Sequence, residues 1–224
     1  KSLQGQFPGD SFLLEESPDN SIDYSGRVWM ADPLDGSKNF TKKGKEFAVM
    51  IGLAINGVPE MGVVYVPVKG KMFYAEKGKG AYEETNGKKI RLEVGNQSNL
   101  KEVRLISRET YGEPNAEIRN LDKAVNGLNV KERIPSNGSI GYKFGMIASD
   151  KADANVMTNP RGSKWDTCAP QIILEEAGGI VTDVYGKPLN YKQNSLRWES
   201  FFVASSNKKL HEKLIRVLGV AKLK

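Results

Sequence analysis

Apolar runs of strand length, broken by polar turns, are clearest between residues 47 and 75. FAVMIGLAI, MGVVYVPV and KMFYA are strand-like runs, parted by turn signals at Asn56 with Gly57 and at Lys69 with Gly70. Asn-Gly between two such runs is a strong hairpin signal, because the tightest hairpin turns need positive φ at both central residues. A second Asn-Gly, at 86–87, precedes KKIRLEV. Residues 28–31 read as a short apolar strand ahead of this block. Residues 1–26 read as irregular and polar, apart from the apolar run 12–14. The first half is therefore predicted to be an antiparallel sheet.

The second half changes period. VRLIS (103–107) and 154–157 are predicted strands, and 116–125 and 142–149 are predicted helices. In TCAPQIILEEAGG the apolar residues Ala169, Ile172, Ile173 and Ala177 recur at helical spacing. Pro170 is expected in the first turn of that helix and Gly178 just past its end. IVTDV and FFVAS read as two further strands, and Asn207 as the cap of a last helix containing Leu210, Leu214, Ile215 and Leu218. The expected fold class is a layered α/β protein of mixed strand order. An antiparallel-sheet subdomain would occupy 1–100 and an α/β subdomain 101–224.

Composition narrows the chemistry. The chain has 224 residues, 39% hydrophobic and 27% charged, enough for one sizeable domain or two small ones. It lacks a run of about 18 apolar residues, so no membrane partner is expected. Its first residues, KSLQGQFPGDSF, lack the apolar core of a secretory signal. Cys168 is the only cysteine, which points to a reducing cytoplasm. His211 is the only histidine, and its lysine-rich helical surroundings predict an exposed surface position. Chemistry built on several His and Cys side chains is thereby excluded, zinc sites included. The net charge of +6 is scattered through turns. It either solvates the surface or draws in an anionic substrate. No nucleic-acid-binding motif accompanies it, so no nucleic acid polymer is expected.

What remains is carboxylate chemistry. Acidic residues stand out at Glu15 with Glu16 in FLLEES, at Asp32 and Asp35 in ADPLDGSKNF, and at Asp166 after Trp165. In ADPLDGS an apolar strand is predicted to end and two carboxylates to follow on a tight turn, with Pro33 stiffening the backbone between them. Carboxylates that converge repel one another until a cation sits between them. Hard oxygen ligands suit magnesium, and the carbonyl of Leu34 could complete the set. Amides after Gly36, where a helix would begin at Ser37, would receive a phosphate. Asp166, at a helix start, could supply a ligand from the other side. Each motif alone has a plain structural reading, since DPLDG is a good type I turn and Asp a common cap. Their joint occurrence carries the argument.

VWMADPLDGSKNF, with FLLEES before it and WDTCAPQIILEEAGGIVTD after it, resembles the inositol monophosphatase superfamily, which includes the CysQ-type 3′(2′),5′-bisphosphate nucleotidases. GKMFYAEKGKGAY and SIGYKFGMIASDKADA extend the likeness over nearly the whole chain. The resemblance implies an αβαβα sandwich, often a homodimer, acting on a small phosphorylated substrate. It implies that Glu15, Asp32, Asp35 and the Leu34 carbonyl ligate magnesium, and that Asp166 joins Asp32 and Asp35 at a second ion and lies beside the substrate. Two or three ions are expected, with lithium as an inhibitor. Gly36 and Ser37 would offer amides to the phosphate. Ser37 stands where the family usually has a threonine that orients the attacking water. The reaction would be in-line attack by a metal-activated water.

The wording WDTCAP and Lys143 resemble the nucleotidase branch, in which such a lysine meets the second phosphate. Arg161 is a further candidate anchor. Met157 stands where inositol monophosphatases carry a glutamate that contacts a sugar hydroxyl, and methionine accepts hydrogen bonds poorly. The expected reaction is hydrolysis of 3′-phosphoadenosine 5′-phosphate to AMP. An inositol or other sugar phosphatase is the alternative. The family also has helices ahead of FLLEES, bearing a threonine–aspartate pair, so a fragment of an active enzyme and a degenerate non-catalytic relative both stay open. The retained carboxylates favour the former.

Overall fold

The structure, a computed structural model, describes residues 2–18, 22–107, 116–157 and 162–221. Its first sheet follows the chain: β1 (Ser11–Leu14), β2 (Arg27–Asp35), β3 (Ala48–Ile55), β4 (Val58–Val66), β5 (Lys71–Glu76), β6 (Gly80–Thr85) and β7 (Lys88–Arg91) lie side by side in that order. All neighbours are antiparallel except β1 and β2, which run parallel. The Asn-Gly turns behave as their chemistry demands, with φ of 52° and 75° at Asn56 and Gly57 and 52° and 72° at Asn86 and Gly87. The opening residues are more ordered than predicted. A short helix, α1 (Ser2–Gln6), precedes β1, and the apolar run at 12–14 pairs with β2.

The second sheet has the order β11-β12-β10-β8-β9, formed by β8 (Arg104–Ser107), β9 (Glu132–Pro135), β10 (Ala154–Met157), β11 (Ile180–Asp183) and β12 (Phe202–Ser205). Strands β8, β9 and β10 are parallel, and β12 runs antiparallel to β10 and β11. Strand β9 escaped prediction: ERIP has exposed ends and no buried residue, as befits an edge.

Helices α4 (Ile140–Ala148) and α5 (Lys164–Glu176) lie between the sheets and share one core with both. Helices α3 (Ala116–Asn126) and α6 (Lys208–Ala221) enclose a second core with β8, β10 and β12. The approach of α5 depends on two glycines directly opposite each other, Gly52 on β3 and Gly62 on β4. A Cβ at Gly52 would lie 2.8 Å from the Ala169 nitrogen, and one at Gly62 would lie 2.6 Å from the Ala169 Cα. The helix backbone rests on the flat that these residues leave. Pro170 is not in the first turn, as predicted, but is the seventh residue of α5, so the Asp166 carbonyl lacks its usual donor four residues on. Gly178 follows the helix with φ of 99°, as expected.

His211 corrects another expectation. It is 6% exposed, not a surface residue, and bridges Ser205 Oγ at 2.7 Å and Thr182 Oγ1 at 2.8 Å. The helical period places it on the same side as the buried Leu210, Leu214 and Leu218, with lysines around it only in sequence. Burial pushes its pKa down to about 4. The unfolded chain therefore binds the extra proton between about pH 6.5 and pH 4, and stability is lost as pH falls through that window. The stability advantage of wild type over His211→Gln in urea should shrink by roughly 3 kcal/mol from pH 7 to pH 4. Parallel losses in the two proteins would refute this.

Candidate active site

The acidic residues of ADPLDGS are not on a turn beyond the strand, as predicted, but inside it, since β2 runs through to Asp35. Asp32 pairs with Met50 and Asp35 with Ala48, so three steps along β2 match two along β3. That is a bulge, and it accommodates Pro33. In a regular strand residues three apart point to opposite faces; the extra residue turns both carboxylates the same way. Asp166, on the first turn of α5, meets them. Oxygens of Asp32, Asp35 and Asp166 lie within 4.8 Å of one another.

Backbone amides anchor one oxygen of each. The Leu34 N–H donates to Asp32 Oδ1 at 2.7 Å, and the Ser163 N–H donates to Asp166 Oδ2 at 2.5 Å. Asp35 Oδ2 accepts from the Ile140 N–H and the Ser139 hydroxyl, each at 2.6 Å. Ser139 also accepts from the Tyr142 N–H at 3.2 Å, capping α4. Gly36 lets the strand meet that helix. Its φ is 85°, and a Cβ there would lie 2.9 Å from the Ser139 nitrogen. Glu15 is exposed at the end of β1, where its N–H donates to the Ala31 carbonyl at 3.1 Å, and its carboxylate is within hydrogen-bonding reach of Asp32. Ser37 opens the short helix α2 (Ser37–Thr41) and is exposed.

Burial and mutual repulsion disfavour the ionised forms of the cluster. Burial, then the charge of Asp35, then Glu15 push Asp32 up to about 9. Burial and the charge of Asp35 push Asp166 up to about 8. Burial raises Asp35 too, against the opposing pull of Ser139, Lys143 and the α4 amides. Three crowded carboxylates, all hard oxygen donors, fit a divalent cation that would restore their ionised forms.

Lys143 lies one turn along α4 from Ser139. It is 4% exposed and its charge acts on Asp35, so it is not a solvated helix lysine. Arg161 lies outside the described residues. Met157, at the end of β10, is buried. Ser139, Ile140 and Ser163 were not singled out from the sequence. A serine before a helical run was the available signal for Ser139, but its bond to Asp35, 104 residues away, is not visible in the sequence.

The family pattern described as "Inositol monophosphatase family" matches residues 1–221. The chain belongs to the inositol monophosphatase family. It is 32% identical to inositol monophosphatase 1 of Homo sapiens, over 99% of this chain and 78% of that protein. It is 28% identical to the 3′(2′),5′-bisphosphate nucleotidase CysQ of Aggregatibacter actinomycetemcomitans, over 74% of this chain and 59% of that one. The inositol monophosphatase structure from Anabaena superposes with a TM-score of 0.80 at 29% identity, covering 97% of this chain and 81% of its own. Family membership makes the chain a phosphatase acting on small phosphorylated substrates, in a metal-dependent family, and the layered fold agrees with the solved relative. Among the described residues no helix is long and apolar enough to cross a membrane.

The raised carboxylate pKa values have a sign. The folded chain holds protons that the unfolded chain releases above about pH 4, so the cluster costs stability as pH rises toward 8 or 9. Without metal, Asp32→Asn should be more stable than wild type at pH 8 by on the order of 2 kcal/mol, and near-equal at pH 4. Magnesium should raise the wild-type melting temperature more at pH 8 than at pH 5. Thermal unfolding in EDTA and in magnesium checks both; a variant less stable at pH 8 in EDTA would refute the electrostatic account.

Proposed function

We propose that this chain is a magnesium-dependent phosphomonoesterase that hydrolyses 3′-phosphoadenosine 5′-phosphate to AMP and phosphate. The convergence of Asp32, Asp35 and Asp166 within 4.8 Å carries the metal part of this reading. Those three, with Glu15 and the Leu34 carbonyl, would hold the magnesium ions. Bound there, magnesium supplies Lewis acidity for phosphoryl oxygens and a water of lowered pKa. The chain itself does the positioning. The α4 amides and Ser139 fix Asp35, Ser163 fixes Asp166, and the bulge aims Asp32. Gly36 and Ser37 offer their amides to the phosphate, and the Ser37 hydroxyl orients the water.

Lys143 supports the nucleotide as substrate. A buried cation beside the carboxylate site is suited to a second anionic group, and CysQ is among the relatives. Met157 leaves no carboxylate at the end of β10 to accept from a sugar hydroxyl. The second reading, an inositol monophosphate, is favoured by the higher identity to inositol monophosphatase 1.

Phosphate release in magnesium from the adenosine bisphosphate, inositol 1-phosphate and fructose 1,6-bisphosphate separates the readings. The adenosine bisphosphate should have the highest kcat/KM. Lys143→Ala should raise its KM by about tenfold or more while moving that of inositol 1-phosphate by less than about threefold. Equal effects on both would remove Lys143 from substrate choice. Preference for inositol 1-phosphate would establish the second reading.

A further inference from the structure

Lys164 is a buried cation for which the reaction has no use. It is the first residue of α5, two positions before Asp166, and its side chain is fully enclosed. Both circumstances disfavour an ammonium, because burial strips its hydration and the amino end of a helix carries partial positive charge. An apolar side chain would be cheaper there, so the contacts of this one decide what it is for.

The ammonium donates to the carbonyl of Gln193 and lies 3.3 Å from the centroid of the Tyr24 ring. Gln193 belongs to segment 189–199, which crosses the start of α5. The Lys164 N–H donates to the Leu196 carbonyl at 3.0 Å, and the Trp198 N–H donates to the Gly162 carbonyl at 2.9 Å. The Tyr191 hydroxyl reaches Thr167 Oγ1 at 2.9 Å and Gln171 Oε1 at 2.8 Å. Tyr24 sits on the stretch leading into β2, where the neighbouring Gly26 carbonyl accepts from the Asn56 N–H at 2.9 Å. One ammonium thus joins the helix that bears Asp166, the segment that straps it, and the approach to the strand that bears Asp32 and Asp35.

We propose that Lys164 is a positioning residue, fixing the separation of Asp166 from Asp32 and Asp35 and so setting how tightly the three hold a divalent cation. The proposal rests on the reading of those carboxylates as a metal site. Groups behind metal ligands act this way because a ligand that drifts gives up affinity before it gives up the fold.

Magnesium binding to the full chain, measured by calorimetry with urea unfolding in parallel, tests it on Lys164→Met, Lys164→Arg, Tyr24→Leu and a control, Leu214→Ala, in the core behind the second sheet. Lys164→Met and Tyr24→Leu should each raise the magnesium dissociation constant by about tenfold. Lys164→Arg keeps a cation for the ring and should raise it less. Leu214→Ala should lower stability without moving the constant. Wild-type binding in Lys164→Met and Tyr24→Leu, or a shift no larger than that of the control, overturns the proposal. If Lys164→Met does not fold, Tyr24→Leu and Lys164→Arg decide. A wild type that binds no magnesium overturns the metal-site reading together with this one, whereas a wild type that binds with all variants unchanged overturns this one alone.

Discussion

Three carboxylates held within 4.8 Å set the terms for the rest of the structure. Two like charges at that distance repel by on the order of 3 kcal/mol in a partly buried setting, and here each carboxylate faces two others. Each acid projects from a regular element and is anchored through one oxygen to a backbone amide: Asp32 inside its own bulge, Asp35 at the start of α4, Asp166 at the start of α5. Two helix N-termini point at the cluster, and their partial positive charges offset part of the repulsion without neutralising it.

Bringing two helix ends to one strand requires the helices to lie close on the sheet. The facing pair Gly52 and Gly62 lets the backbone of α5 descend at Ala169, and Gly36 lets β2 touch the segment that enters α4. Packing and electrostatics are thus one problem. A methyl group at Gly62 would lift α5, and lifting α5 would carry Asp166 away from its partners. The strap at 189–199 closes the arrangement from the other side, with Tyr191 and Trp198 both bonded to Thr167 one residue beyond Asp166.

Much of this was legible in the sequence where local chemistry decides. The Asn-Gly hairpins, the helical period after Trp165, Gly178 and the capping Asn207 stand as read, the last with its side chain accepting from the Leu210 N–H at 3.0 Å. The failures share a cause, which is tertiary context. β2 continues through Asp32 and Pro33, residues of poor strand propensity, because β3 supplies a partner and the bulge absorbs the proline. Pro170 survives inside α5 because the helix is held by the sheet below it. His211 is buried by its helical phase, which its lysine neighbours conceal. Within the site, the acids were legible as residue types in an order; their convergence was not. It depends on a one-residue bulge and on Ser139, which is far from Asp35 in sequence.

The sign of the charges also fixes an order of events on the proposed reading. A phosphate dianion approaching three ionised carboxylates is repelled, and Lys143 alone does not reverse that field while its charge is drawn toward Asp35. Protonation relieves the crowding, but it also removes the ligands. Only cation binding both restores the ionised acids and turns the site attractive to an anion. On that reading metal would arrive before the phosphate or with it. Above about pH 8, where Asp32 and Asp166 begin to ionise without metal, the same repulsion would then become selectivity, because the acids alone would reject the anion that the metal-loaded site would bind.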